Sequence, residues 1–172
     1  MKRLISESDI QMEVAKLGQQ IAADFCDRPF TVLGILTGSI IFISDLIRQI
    51  NIPLRIGLIQ ASSYRSRTTI PGNLAINAEL LPDITGRDVL LVDDIFDTGN
   101  TLATVSQTVQ RHQPNSVRSA VLLSKQGRST VKLKPDYDCF LIPDVFVVGY
   151  GLDYNDDYRH LPYIAVLDAQ DL

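Results

Sequence analysis

The stretch Val89-Leu-Leu-Val-Asp-Asp-Ile-Phe-Asp-Thr-Gly-Asn-Thr-Leu102 decides how the chain folds. Its four opening residues are apolar, too few for a helix of their own, and predict a buried strand. Asp93 and Asp94 stand where that strand ends. A small polar turn follows, Asp97-Thr98-Gly99-Asn100-Thr101, and a helix is expected to begin near Thr101. Strand, acid pair, turn and helix start bring charge, hydroxyls and free backbone N–H groups to the carboxyl end of a strand. Open α/β sheets bind ligands there. A phosphate takes N–H donors at a helix N-terminus, and Gly99 lets the backbone approach it closely. An acid pair repels a bare phosphate, so its natural partners are sugar hydroxyls, a metal ion, or both. A sugar phosphate satisfies the whole set. An ordinary strand–turn–helix connection capped by Asp needs one acid, whereas this one has Asp93, Asp94 and Asp97.

Other phosphate and metal signatures are absent. An EF-hand loop beginning at Asp93 needs an oxygen ligand where Ile95 stands, and the chain contains neither GxxxxGK[ST] nor GxGxxG. The 172 residues fit one domain, 1–172, with a proper core. A net charge of -4 argues against nucleic acid as a partner. The N-terminus lacks a signal-peptide core and the apolar runs are too short to span a bilayer, so a cytoplasmic protein is expected. Cys26 and Cys139 match no metal spacing and are expected to be reduced, buried small hydrophobes.

Working outward, Ser8-Asp9-Ile10-Gln11 has capping-box spacing and predicts a helix with an apolar stripe of Ile10, Val14, Leu17 and Ile21. Phe30–Leu36 reads as a central strand, followed by Thr37-Gly38-Ser39 and a helix to about Ile50. Strands are expected at 53–61, 74–81, 117–123, 139–142 and 145–148. The polar stretch 62–77, with two arginines and many hydroxyls, reads as a lid or binding loop. Alternating strands and helices imply a parallel sheet with helices on both faces. The quick succession of strands after residue 135 suggests that part of the C-terminal third leaves that sheet.

The segment 89–102 resembles the phosphoribosyl-diphosphate (PRPP) motif of type I phosphoribosyltransferases: apolar run, two acids, two apolar residues, Asp-Thr-Gly-x-Thr. The resemblance continues from about Ile35 to Leu167 and is strongest with the purine-salvage branch, whose C-terminal motif matches Phe146-Val-Val-Gly-Tyr-Gly-Leu-Asp-Tyr-Asn155. It implies the type I fold, a mainly parallel sheet flanked by helices with a small hood built partly from the C-terminal segment. It implies transfer of a phosphoribosyl group from PRPP to N9 of a 6-oxopurine, hypoxanthine or guanine, with Mg2+ as cofactor. A homo-oligomer, dimer or tetramer, follows by analogy only.

Residue by residue, the resemblance gives Asp93 and Asp94 the ribose hydroxyls and a share in the metal. Thr98, Gly99, Asn100 and Thr101 take the 5′-phosphate. Asp97 becomes the general base for the purine N7 proton. Thr37, Gly38 and Ser39 match the pyrophosphate loop, though Thr37 stands where the family usually has lysine, and Arg159 would reach the pyrophosphate too. Ser63 and Tyr64 resemble the Ser-Tyr pair of a mobile catalytic lid. Lys125 would donate to the 6-oxo group, Phe146 stack on the base, Val147 meet its edge through main-chain atoms, and Asp153 help to hold magnesium. An ammonium is a donor only, so adenine, with its 6-amino group, should be rejected. Two readings stay open beside this one: an enzyme preferring xanthine or guanine, and a phosphoribosyltransferase-like regulator that binds RNA.

Overall fold

The structure is a computed structural model that describes residues 1–63 and 74–167, with the backbone alone at Ser63. The chain runs β1 (Lys2–Ile5), α1 (Glu7–Asp24), β2 (Phe30–Leu36), α2 (Ile40–Gln49), β3 (Arg55–Ser63) and β4 (Leu74–Asn77). It continues through β5 (Asp88–Phe96), α3 (Asn100–Gln110), β6 (Ser116–Lys125), β7 (Tyr137–Ile142), β8 (Val147–Val148) and β9 (Ile164–Val166). The main sheet has the order β4-β3-β2-β5-β6-β7. Only its β3–β4 pairing is antiparallel; the other pairings are parallel.

The central strands are apolar on both sides because both sides are covered. Val32, Leu90, Val92 and Leu122 face α1 and α2, together with Ile10, Val14, Leu17 and Ile21 of the α1 stripe. Leu33, Ile35, Val89, Leu91 and Val121 face the opposite way, onto Leu102, Val105 and Val109 of α3. After β2 the chain moves outward to β3 and β4, then returns across β2 to lay down β5, β6 and β7. The direction of travel therefore reverses between β2 and β5, which leaves a crevice at their carboxyl ends.

The C-terminal segment leaves the main sheet, as its strand spacing suggests. β8 and β9 join the N-terminal β1 in a small antiparallel sheet of order β1-β9-β8. β7 stays behind as the edge of the main sheet, paired in parallel with β6. The loop from Gly149 to Tyr158 that leads out of β8 has left-handed backbone at Gly149, Tyr150, Gly151, Asn155, Asp156 and Tyr158. At the four non-glycine positions this backbone is costly, and such a concentration is characteristic of binding sites.

Three local expectations are corrected. The cap of α1 is Ser6, not Ser8: the Ser6 hydroxyl accepts from the Asp9 N–H, which starts the helix at Glu7. β8 is shorter than expected, because Val145 and Phe146 precede the pairing with β9. Cys26 is exposed, since Phe25 takes the buried position at the end of α1 and the chain turns outward after it. Cys139 is partly buried, its thiol pushed up to about 12 mainly by that burial, and both cysteines are free.

Candidate active site

The crevice at the β2–β5 switch holds a cavity of about 550 Å³. From the β5 side it is lined by Asp93, Asp94, Asp97, Thr98, Gly99 and Thr101; from the β2 side, by Thr37 and Gly38. Asp153 and Arg159 of the C-terminal loop complete the wall. Two turns and a distant loop, assigned to one ligand by resemblance, thus meet in one space.

The contact between the turns is close. A Cβ built on Gly38 would lie 1.7 Å from Oδ2 of Asp94, so only glycine lets that carboxylate rest on the turn. A Cβ on Gly151 would lie 2.1 Å from the Gly38 carbonyl, which fixes the C-terminal loop against the same point. The Leu36–Thr37 peptide at the head of this turn is cis. Tyr150 ties the loop to α2 by donating its hydroxyl to Asp45 at 2.6 Å.

At the end of β5 Asp93 is buried and Asp94 is half-buried, facing the cavity. Asp93 Oδ1 accepts from the Asp94 N–H at 3.0 Å, and Asp94 Oδ1 accepts from the Ile95 N–H at 2.8 Å. Burial pushes the Asp93 carboxyl well above the usual range, and the neighbouring Asp94 charge adds to the effect. Burial raises Asp94 as well, with the positive charge of Arg159 among the influences pulling the other way. Two such carboxyls repel each other and favour a cation or hydroxyl donors between them.

The helix α3 begins at Asn100 with Gly99 as its cap, in left-handed backbone at φ 85°. Gly99 has no side chain to cap this terminus, and the Thr98 hydroxyl accepts only weakly, at 3.4 Å, from the Asn100 N–H; the other N–H groups of the first turn are left for an anion. Ser39 behaves differently. Its side chain is fully buried and donates to the Ile35 carbonyl at 2.6 Å, so its hydroxyl does not line the cavity.

Asp97 sits between two cations. Its Oδ1 accepts from Arg128 Nε at 2.9 Å and its Oδ2 from Lys125 Nζ at 3.4 Å. Burial raises Asp97, but the hydrogen bond from Arg128 and the positive charge of Lys125 outweigh it and hold the carboxyl below the usual range. Lys125 is also 3.5 Å from Asp144 Oδ1. Phe146, two residues on, is 46 % exposed and meets Tyr154 edge to face at 5.7 Å, so one aromatic surface is open to a ligand. Lys125, Phe146 and Val147 lie outside the lining of the cavity; Lys125 joins it through Asp97. The Val147 side chain is buried by the hood, with its backbone in β8.

Asp153 and Arg159 neutralise each other. Arg159 Nη2 is 2.8 Å from Asp153 Oδ1 and 3.1 Å from Asp156 Oδ1, and Nη1 donates to the Gly151 carbonyl at 2.7 Å. Among the described residues, no three His, Cys, Asp or Glu side chains converge to hold a metal. The donor set still suits magnesium, which binds through one or two carboxylates with waters and substrate phosphates supplying the rest. Ser63 ends β3 opposite Leu74, and Tyr64 lies outside the described residues.

Sequence reasoning missed Gln60 and Asp156 in the cavity wall, Arg128 beside Asp97, and Asp144 beside Lys125 and Arg128. Gln60 carried no motif. Arg128 had a usable signal, since a polar run directly after a strand at the ligand edge of the sheet is a place where function collects.

The comparisons with known proteins agree with this geometry. The phosphoribosyl transferase domain model matches residues 3–155. The hypoxanthine-guanine phosphoribosyltransferase of Staphylococcus epidermidis is 42 % identical over 167 residues, 97 % of this chain and 93 % of that protein. The enzyme of the same name from Streptococcus pneumoniae is 41 % identical over 169 residues, 98 % of this chain and 94 % of that one. Among solved structures, the hypoxanthine phosphoribosyltransferase of Staphylococcus aureus superposes with a TM-score of 0.91 at 40 % identity, covering 98 % of this chain and 92 % of that one. A Trypanosoma cruzi hypoxanthine phosphoribosyltransferase, solved as a ternary complex with substrates, gives 0.90 at 34 % identity, covering 99 % and 96 %. The chain belongs to the phosphoribosyl transferase family and has the type I fold.

Proposed function

We infer that this chain works in purine salvage, transferring the 5-phosphoribosyl group of PRPP to N9 of hypoxanthine, and of guanine, with release of pyrophosphate. The observation that carries this reading is the meeting of acid pair, phosphate turn and Arg159 in one cavity, with Lys125 joined to its rim through Asp97. The relatives named for hypoxanthine and guanine support the choice of base.

In this account the α3 N-terminus, with Thr98, Gly99, Asn100 and Thr101, holds the 5′-phosphate by backbone donors and hydroxyls. Asp93 and Asp94 accept from the ribose hydroxyls, and their field favours the positive charge that develops on the ring in the transition state. The pyrophosphate rests on the backbone of residues 37–39 and on Arg159. Asp93, Asp94 or Asp153 would hold a magnesium ion, which would supply charge neutralisation of the leaving group. Arg159 already occupies one oxygen of Asp153 and would have to yield it.

The purine stacks on the open face of Phe146 and meets main-chain atoms at Val147. Asp97 takes the N7 proton as N9 attacks C1′. Its cationic neighbours make Asp97 a weak base, so the charge left on the purine needs a partner, and Lys125 at the 6-oxo group supplies it. A lid at Ser63 and Tyr64, as the resemblance implies, would exclude water from the ribosyl centre.

We read residues 1–172 as one phosphoribosyltransferase domain working in the cytoplasm. No helix among the described residues is long and apolar enough to cross a membrane. Ile40 and Ile41, exposed at the start of α2 beside the cavity, offer an apolar surface to a second copy in a dimer or tetramer. Asp97→Asn tests the mechanism. Turnover should fall by roughly a hundredfold or more while PRPP affinity holds within about twofold; equal losses in both would end the assignment of Asp97 as base.

A further inference from the structure

Residues 126–134 form no regular element, yet they strap down the 97–100 turn at successive points. Arg128 Nε donates to Asp97 Oδ1 at 2.9 Å. Thr130 gives its backbone N–H, at 3.0 Å, and its hydroxyl, at 3.2 Å, to the Thr98 carbonyl. Val131 Cγ2 packs over Gly99, 2.4 Å from where a Cβ would stand. Arg128, Thr130 and Val131 thus brace Asp97, Thr98 and Gly99 in order. The strap begins directly after Lys125, so the residue assigned to the base and the turn assigned to the phosphate share one support.

The two oxygens of Asp97 are held unequally. The bond from Arg128 to Oδ1 has good charge-assisted length, whereas Lys125 stands 3.4 Å from Oδ2, too far for a strong bond. Lys125 is 10 % exposed and shared with Asp144 at 3.5 Å, and Arg128 Nη1 reaches Asp144 Oδ2 at the same distance. Two cations and two carboxylates therefore form a closed square. A flexible ammonium can leave such a square for a carbonyl acceptor; a guanidinium bonded through Nε, with its fixed planar donors, stays.

We propose that Arg128 is the positioning residue of the catalytic base: it anchors Oδ1 of Asp97, leaves Oδ2 for the purine, and keeps the carboxylate compensated when Lys125 turns to the 6-oxo group. Asp144 is the counter-charge that keeps Arg128 in place during that exchange. This rests on Asp97 acting as the base, and the test separates the two claims.

The experiment compares Arg128→Gln, Arg128→Lys, Asp97→Asn and the double variant Asp97→Asn/Arg128→Gln in the full chain. Turnover with hypoxanthine and binding of magnesium–PRPP by calorimetry are measured for each. Arg128→Gln should lower kcat roughly tenfold to a hundredfold, with PRPP affinity kept within about twofold. Arg128→Lys, still a cation but without the fork, should recover part of the loss. In the Asp97→Asn background, Arg128→Gln should add no further loss, because its effect runs through Asp97. An equal further loss in that background would overturn the positioning role while leaving the base assignment standing. Loss of PRPP affinity in step with kcat in both Arg128 variants would also overturn it, as a strap that merely supports the turn behaves that way. Near-normal turnover in Asp97→Asn alone would remove the base assignment, and this proposal with it.

Discussion

Two strand–turn–helix junctions meet at the middle of the sheet, and their turns use almost the same residue types. β2 enters α2 through Thr37, Gly38 and Ser39; β5 enters α3 through Asp97, Thr98 and Gly99. In the first, the serine hydroxyl turns inward to the Ile35 carbonyl, and the glycine serves as a floor for Asp94. In the second, glycine itself is the helix cap, in left-handed backbone, and Thr98 and Thr101 line the cavity. One junction can offer backbone donors; the other offers backbone, hydroxyls and three carboxylates. A turn signature therefore marks where a ligand can lie, and what each hydroxyl finds behind it decides whether side chains take part.

The largest effect should come from fusing the two junctions wrongly. Gly38→Ala drives a methyl into the Asp94 carboxylate, which is pinned by the Ile95 N–H and has little room to yield. kcat/KM for PRPP should drop by roughly a hundredfold, a loss that steady-state kinetics would register directly. If activity survives, the contact between the turns does not matter to the site.

A smaller change should sharpen the contrast in charge. Among the described residues, the cavity wall carries Asp93, Asp94, Asp97, Asp153 and Asp156 against Arg159. Thr37→Lys adds a cation on the poorer junction, so KM for pyrophosphate in the reverse reaction should fall by roughly threefold to tenfold. An unchanged KM would mean that the backbone of residues 37–39 already supplies all the grip available there.

The smallest effect concerns stability. The carboxyl of Asp93 is raised in the folded state, while in the unfolded chain it ionises at its ordinary value. Stability therefore falls as pH climbs from the ordinary carboxylate range toward the raised folded value, and the loss is complete above it. Asp93→Asn keeps the Oδ1 acceptor and removes the charge, so Tm should rise by about 2–4 °C at alkaline pH and the gain should shrink as pH falls. Activity should fall at the same time. A lower Tm at alkaline pH would show that the Asp93 charge is compensated in the free protein.

How much of this could be read from the chain follows from where each signal lies. β2, β5 and the turn before α3 declare themselves locally, through apolar runs ended by acids and glycine, and the structure has them close to the expected places. β1 and β9 do not. Three of the four residues in β1 are exposed, and its strand character comes from pairing with residues more than a hundred and fifty positions away. The capping-box spacing pointed to Ser8, whereas the chain turns into the helix two residues earlier, where the Ser6 hydroxyl accepts from the Asp9 N–H. The strap at 126–134 has no period and few apolar residues; its bonds run to the Asp97 carboxylate and the Thr98 carbonyl, 31 and 32 positions back. Resemblance supplied Lys125 and Phe146, which local patterning alone would have left as a surface lysine and a core ring. It had nothing to say of Arg128.

The most direct test is a pyrophosphate-release assay with PRPP and magnesium, run in parallel with hypoxanthine, guanine, xanthine and adenine. The account predicts turnover with hypoxanthine and guanine and none with adenine, since Lys125 can donate to a 6-oxo group but cannot pair with a 6-amino group. Turnover mainly with xanthine would keep the fold and the transfer chemistry and contradict the choice of base. Release with adenine, or with no base at all, would contradict the account at its centre.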